Sequence, residues 1–202
     1  MVKPEIHEAR TKGMQIQYAL IGEFVCAFES VCAEMRTAIM FLGGRTGMSD
    51  QSFVQAITTE LTAMPLLRAF RSVAIEKCSD PFETQVLDII CKRFDALISK
   101  RNTILHGTWY INYASEDQTD FSVGNGHKLK NTKSGVVTES QHVSEEDFRP
   151  LIDEGWDVAE LVKRLALMKL TQAAGPSEGD FRKNFDVTAG VLSVPAHLRA
   201  NR

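Results

Sequence analysis

The stretch that decides the fold is residues 80–107, which read DPFETQVLDIICKRFDALISKRNTILHG. Asp80 is a suitable N-cap, Pro81 suits the first helical position, and Glu83 falls where a capping box requires an acidic residue. Apolar residues then recur at helical steps, namely Phe82, Val86, Ile89, Ile90, Phe94, Leu97, Ile98 and Leu105. The stretch predicts a long helix terminated by Gly107, with His106 as its last residue or its cap.

The segments before this stretch also have a helical pattern. Apolar residues recur at three- and four-residue steps over 14–42, which indicates a first long helix. A second helical region over 50–77 contains Pro65, and a proline inside a helix should kink or divide it. We therefore expect two shorter helices there, over 52–63 and 65–76.

The segments after the stretch change period. From 108 to about 143, strand-forming residues alternate with Gly and Asn turn signals, which predicts a small antiparallel hairpin or three-stranded insert. A last helix follows a capping-box-like sequence at 144–147 and runs to about 172. The predicted organisation is an N-terminal extension (1–13), a mainly helical domain with the β insert (14–172) and an extended C-terminal tail (173–202).

Composition limits the kinds of partner. The 202 residues carry a net charge of -3 and an apolar fraction of 44%, which is typical of a globular domain. A dedicated nucleic-acid binder usually has a clear basic excess, and this chain has none. Any contact with RNA must therefore depend on a local cluster of Lys and Arg.

The cysteines and the N-terminus suggest a compartment. Cys26, Cys32, Cys78 and Cys91 form no Cys-x-x-Cys pair, and each sits in an apolar helical run where cysteine packs as a small hydrophobe. We find no cluster of Asp, Glu and His at metal-ligand spacing, so we expect no metal and no cofactor. The N-terminus lacks the apolar core of a signal peptide, and no apolar run approaches the roughly 20 residues that span a bilayer. We expect a reduced, cytoplasmic protein without a membrane segment.

Arg101 and His106 are the residues closest to a chemical mechanism. Arginine is always charged and presents a planar fork of donors that suits phosphate, and histidine exchanges a proton near neutral pH. The alternative is structural: Arg101 would be an exposed helix cation and His106 a C-terminal cap. In an ideal helix five steps separate two side chains by about 140°. They can converge on one ligand only near a frayed end or across a groove shared with a second copy.

The segment Arg101-Asn102-x-x-x-His106-Gly107, which closes a long helix in a helical core, resembles the signature of the HEPN superfamily. That signature is an Arg, four to six intervening residues and a His, often with a polar residue directly after the Arg. Here four residues intervene, and Asn102 occupies the polar position. The order of helical regions, motif helix, inserted hairpin and last helix is also similar over about 14–172. The resemblance implies a HEPN-like helical bundle with a small antiparallel β insert.

The resemblance also implies an activity. Active HEPN domains are metal-independent endoribonucleases that usually work as homodimers, with the motif helices meeting across a two-fold axis. Arg101 would then grip the scissile phosphate, and His106 would act as general base or acid on the ribose 2′-hydroxyl or the leaving oxygen. Asn102 would orient a side chain or a phosphate. The products would be a cyclic phosphate and a 5′-hydroxyl.

The biological setting implied is a toxin, defence or stress system, with an antitoxin or regulatory protein as a possible partner. Some HEPN toxins carry a modified Tyr two residues after the His, whereas this chain has Thr108 there, so that form of regulation is not expected. Many relatives keep the fold without cleavage. The alternatives are therefore a non-catalytic nucleotide- or partner-binding module and a purely structural helical dimer.

Three lysines are candidates for binding the RNA substrate. Lys100 is adjacent to Arg101, and Lys128 and Lys130 lie in the most basic part of the β insert. Their charge would attract RNA towards the motif. The alternative for the insert lysines is protection of an exposed edge strand against aggregation.

Overall fold

The computed structural model describes residues 4–44, 47, 50–110, 124–132, 135–171 and 181–195. The elements in these ranges are, in chain order, α1 (Pro4–Gly44), α2 (Gln51–Thr59), α3 (Ala63–Ile75), α4 (Pro81–Leu105), β1 (Thr108–Tyr110), β2 (Gly124–Thr132), β3 (Gly135–Val143), α5 (Glu145–Thr171), α6 (Phe181–Asn184), β4 (Asp186–Thr188) and β5 (Val191–Ser193). The prediction of a mainly helical protein with a small antiparallel sheet is confirmed.

The chain divides into two compact units. Residues 1–28 and 99–154 form one, which we call the motif unit, and residues 29–98 and 155–202 form the other, which we call the second unit. The sequence predicts one domain over 14–172 instead. Its pattern does not reveal the division because the boundaries fall inside α1, α4 and α5, where the helical period continues without a linker.

The core of the motif unit is built around aromatic side chains. The ring of Phe24 lies 6.5 Å from that of Phe28 and 6.1 Å from that of Phe148, the latter in an edge-to-face arrangement. Ile104, from the last turn of α4, and Ile152, from α5, are also buried. Edge-to-face pairs of this kind add to the stabilisation from burial.

The predicted β insert is a three-stranded antiparallel sheet in the order β1-β2-β3. Trp109 of β1 pairs with Gly126 of β2, and β2 pairs with β3 along its full length. The predicted cap after the sheet is confirmed, since the Ser144 hydroxyl accepts a hydrogen bond from the Asp147 amide at 3.2 Å. Residues 111–123 and 133–134 of the insert lie outside the described ranges.

The predicted start of α4 is confirmed, with one difference in detail. Asp80 Oδ1 accepts hydrogen bonds from the amides of Phe82 and Glu83. A capping box would turn the Glu83 carboxylate back to the amide of the cap residue. Instead it accepts from the amide and hydroxyl of Ser79 and pairs with the Lys169 ammonium. The Glu83 and Lys169 side chains are 1% and 2% exposed, so this ion pair is buried in the second unit.

Two predicted boundaries are corrected in the N-terminal half. The helix α1 begins at Pro4, so the predicted extension 1–13 is helical from that residue; proline is favoured at a first helical position. The break in the second helical region lies at 60–62, before Pro65. Pro65 is in the first turn of α3, where its missing amide hydrogen costs nothing because first-turn amides lack helical partners.

The predicted extended tail is also corrected, over its described part. Residues 181–193 form α6 and the β4–β5 hairpin, and Phe181, Phe185 and Leu192 are buried. Arg93 Nη1 donates to the Leu192 carbonyl at 3.1 Å. The apolar residues that look scattered in the sequence are therefore anchors, and they make this segment part of the second unit.

The helix α1 also differs from the prediction that no apolar run could span a membrane. By length and composition, His7–Gly44 could cross one, with a mean hydropathy of 1.3 in its most apolar window. A core helix passes the same test. Phe24, Met35 and Leu42 of this helix are buried within the protein, and 39% of its most apolar window is buried.

Candidate functional site at the end of the motif helix

The end of α4 is held by a side chain from the sheet. The helix stops at Leu105, His106 lies in a turn, and β1 begins at Thr108. The Asn102 carbonyl accepts a hydrogen bond from the His106 amide at 3.3 Å and another from Lys128 Nζ at 3.0 Å. The last carbonyls of a helix lack helical partners and carry partial negative charge, so an ammonium is favourable there.

Trp109 of the sheet also donates a hydrogen bond to the end of α4. Trp109 Nε1 donates to the Ile104 carbonyl at 2.6 Å, and the Gly107 amide donates to the same oxygen at 3.4 Å. The indole lies directly against Gly126, where an added Cβ would stand 2.6 Å from two ring carbons. Glycine at this strand position therefore leaves the space that the indole occupies.

These contacts bear on the structural alternative for His106, in which its side chain caps the C-terminus of α4. Lys128 and Trp109 donate to the Asn102 and Ile104 carbonyls, whereas the His106 imidazole donates to no helix carbonyl among the described residues. The side chain of His106 is exposed, and its ring forms no hydrogen bond with the described residues. The imidazole is thus free to meet a ligand from solvent.

Arg101 is not an exposed helix cation either. Its side chain is half-buried, with Cζ 5.7 Å from the centroid of the buried Phe28 ring. Nη1 donates to Asn102 Oδ1 at 3.3 Å, and Nε is buried without a hydrogen-bond partner. No carboxylate among the described residues pairs with this guanidinium. Asn102, predicted to orient a side chain or phosphate, contacts Arg101.

The predicted substrate-binding lysines have different environments. Lys100 is exposed beside Arg101 and is available to a ligand. Lys128 is half-buried, and its ammonium contacts the Asn102 carbonyl, a role that neither RNA attraction nor edge protection anticipates. Lys130 belongs to β2, and its side chain lies outside the described part of the structure.

Neither Gly126 nor the hydrogen bond from Trp109 to the helix end was predicted from the sequence. The Gly124-Asn125-Gly126 sequence has the composition of a turn, whereas these residues begin β2. The sequence did contain a signal for Trp109. It lies two residues after Gly107, the predicted end of the helix, and a Trp N–H at that distance can donate to a helix carbonyl that has no helical partner.

The described contacts of Arg101, Asn102 and the helix end involve no cysteine. No disulfide joins the four cysteines. Cys26 is exposed and Cys78 is partly exposed, contrary to the expected burial of each thiol. Burial raises the pKa of the Cys91 thiol to about 12. The described residues contain no group of three or more His, Cys, Asp or Glu placed to hold a metal ion.

Comparison of the chain with protein-family models, with curated proteins and with solved structures found no match. The HEPN resemblance therefore rests on the sequence alone, on Arg101, Asn102 and His106 and on the order of the predicted elements.

Proposed function

We propose that this chain is a HEPN-like, metal-independent endoribonuclease that acts as a homodimer. Arg101 carries the proposal. Its half-buried guanidinium contacts a neutral amide and an aromatic ring, with no carboxylate partner among the described residues. Withdrawing a cation from water without a counter-charge is costly. A phosphodiester would supply that charge and would accept the planar donors of arginine.

The proposed chemistry divides the reaction between two side chains. Arg101 binds the scissile phosphate and stabilises the charge that develops on its oxygens. His106 removes the proton from the ribose 2′-hydroxyl, or protonates the leaving 5′ oxygen. The 2′ oxygen bonds to phosphorus as the bond to the 5′ oxygen breaks, which yields a cyclic phosphate and a 5′-hydroxyl. Asn102 holds the guanidinium through its amide oxygen, and the exposed Lys100 attracts the substrate.

The proposed homodimer has its support at the end of α4. The sequence suggests a partner helix because Ile89, Ile90, Ile98 and Ile104 give α4 a wide apolar arc, but the last three are buried within one chain and Ile89 is half-buried. The remaining support is the separation of Arg101 and His106 by five helical steps, together with Leu105, which is 37% exposed beside His106. Two copies meeting near this helix end would bring an Arg and a His from different chains to one phosphate. Light scattering at micromolar concentration should give the mass of a dimer.

The cellular role proposed is a cytoplasmic toxin, defence or stress ribonuclease, controlled by an antitoxin or other regulatory protein. Proteins of a reducing compartment usually lack disulfides, and none of the four cysteines here is in a disulfide. An enzyme that cleaves cellular RNA would harm its host unless a partner restrained it, which is the reason for proposing a regulator.

The second candidate is a nucleotide-binding module without catalysis. Arg101 favours it as much as it favours the enzyme, because a guanidinium with no carboxylate partner among the described residues can bind phosphate whether or not a bond is cleaved. His106 separates the two candidates. In a binding module, replacing His106 should leave the function intact, whereas the enzyme loses proton transfer.

The test combines cleavage and binding assays with matched controls. Wild-type protein is incubated with total RNA in EDTA beside His106→Ala and Arg101→Lys. His7→Ala and Arg68→Lys replace exposed residues of the same types elsewhere. We expect cleavage by the wild type and both controls, and a loss on the order of 100- to 10,000-fold in His106→Ala. Arg101→Lys should also fail substantially, because an ammonium lacks the two-pronged contact with phosphate. Cleavage retained by His106→Ala, or abolished by EDTA, would refute the proposal.

A further inference from the structure

Two donors from the β insert converge on the helix end that carries Arg101 and His106. Lys128 Nζ bonds to the Asn102 carbonyl at 3.0 Å, and Trp109 Nε1 bonds to the Ile104 carbonyl at 2.6 Å. Trp109 lies in β1 and Lys128 in β2, and these two strands are paired, Thr108 with His127 and Trp109 with Gly126. The sheet therefore holds the last turn of α4 at two carbonyls, two residues apart.

The held residue Asn102 connects this contact to the site. Its carbonyl accepts from Lys128 while its side-chain oxygen accepts from Arg101 Nη1. The His106 amide donates to the same carbonyl. A shift of the Asn102 backbone would therefore move the guanidinium and the turn that bears the imidazole together. Reaction rates depend steeply on such placement.

We propose that Lys128 and Trp109 are positioning residues, which form a two-donor clamp that keeps Arg101 and His106 in reactive geometry. This inference rests on the proposed function and adds to it a role for the β insert. In this inference the Lys128 ammonium binds a backbone carbonyl of the protein and does not bind the RNA. The two assignments predict different kinetics, since a lost RNA contact weakens substrate binding, whereas a lost positioning contact lowers the rate of the bound complex.

The first measurement is independent of activity. Amide hydrogen exchange at Leu105, His106 and Gly107 reports local opening of the helix end. Exchange there should be about tenfold faster in Lys128→Met, because a hydrogen bond from a charged donor is lost, and also faster in Trp109→Phe, which keeps an aromatic ring and loses the N–H. Lys128→Arg should restore slow exchange. Lys163→Met, which removes an exposed lysine of α5, should behave as wild type.

The second measurement is steady-state cleavage of one RNA by the same variants. Lys128→Met and Trp109→Phe should lower kcat about tenfold or more with little change in KM, and Lys128→Arg should recover most of kcat. If Lys128→Met does not fold, Trp109→Phe carries both measurements. Unchanged exchange in the folded variants would overturn the clamp, as would a raised KM at unchanged kcat. Faster exchange in a protein whose wild type cleaves no RNA would refute the proposed function and leave the clamp standing.

Discussion

Gly126→Ala is the substitution whose effect follows most directly from the structure. The added Cβ would lie 2.6 Å from two carbons of the Trp109 ring, whereas ordinary contacts begin at 3.4 Å, so the indole must move by about 0.8 Å. That movement weakens the 2.6 Å hydrogen bond to the Ile104 carbonyl, at a cost of about 1 kcal/mol. Overpacking adds about 1–3 kcal/mol. Removing a glycine from a strand returns about 0.5–1 kcal/mol, which leaves a net loss of about 1–3.5 kcal/mol.

The assay is urea unfolding followed by far-UV circular dichroism, with Gly22→Ala as the matched control. Gly22 lies in α1 with nothing within 4 Å of an added Cβ, so its replacement should stabilise the protein by about 0.5–1 kcal/mol. The two Gly→Ala changes should therefore shift the free energy of unfolding in opposite directions. A Gly126→Ala protein as stable as the wild type would show that the indole does not occupy this position.

Two further predictions concern the second unit. Lys169→Met should lower the free energy of unfolding by about 3–5 kcal/mol in urea titrations, since it leaves the buried Glu83 carboxylate without its cationic partner. Breaking the exposed Arg71–Asp88 pair with Arg71→Met should lower the free energy of unfolding far less, and equal losses would contradict the difference in burial. Burial raises the pKa of Cys91 from 9.0 to about 12, so the folded state retains a proton that the unfolded state loses, and stability should fall as pH rises through this window. The wild type should lose up to about 1.4 kcal/mol per pH unit more than Cys91→Ala, and identical slopes would refute the assignment.

The sequence predicts elements well where short-range chemistry determines them. Asp80 and Pro81 mark the start of α4 because the cap and the first helical position have specific preferences, and the structure begins the helix there. Gly107 follows the end of α4 in the same way. The antiparallel insert is also recognisable, because strand formers and turn residues alternate over a short span.

Prediction fails where contacts distant in sequence decide the outcome. Phe181 and Leu192 anchor the C-terminal segment by packing, which a composition rich in Gly, Pro and polar residues conceals. Lys128 reaches back 26 residues to the Asn102 carbonyl, and no local pattern distinguishes it from a lysine on an exposed edge. The candidate site shows the same difference between local pattern and distant contacts. Its motif residues are identifiable from spacing, whereas their environment depends on which strand covers the helix end.

The central claim is that Arg101 and His106 cleave RNA through its 2′-hydroxyl. The most direct measurement is cleavage, in EDTA, of one synthetic RNA and of a matched oligonucleotide with a single 2′-deoxy residue at the cleaved position. We predict that the wild type cuts the RNA to a cyclic phosphate and a 5′-hydroxyl, that the 2′-deoxy position resists, and that His106→Ala cuts neither. Cleavage at the 2′-deoxy position, or products with a 5′-phosphate, would contradict the mechanism.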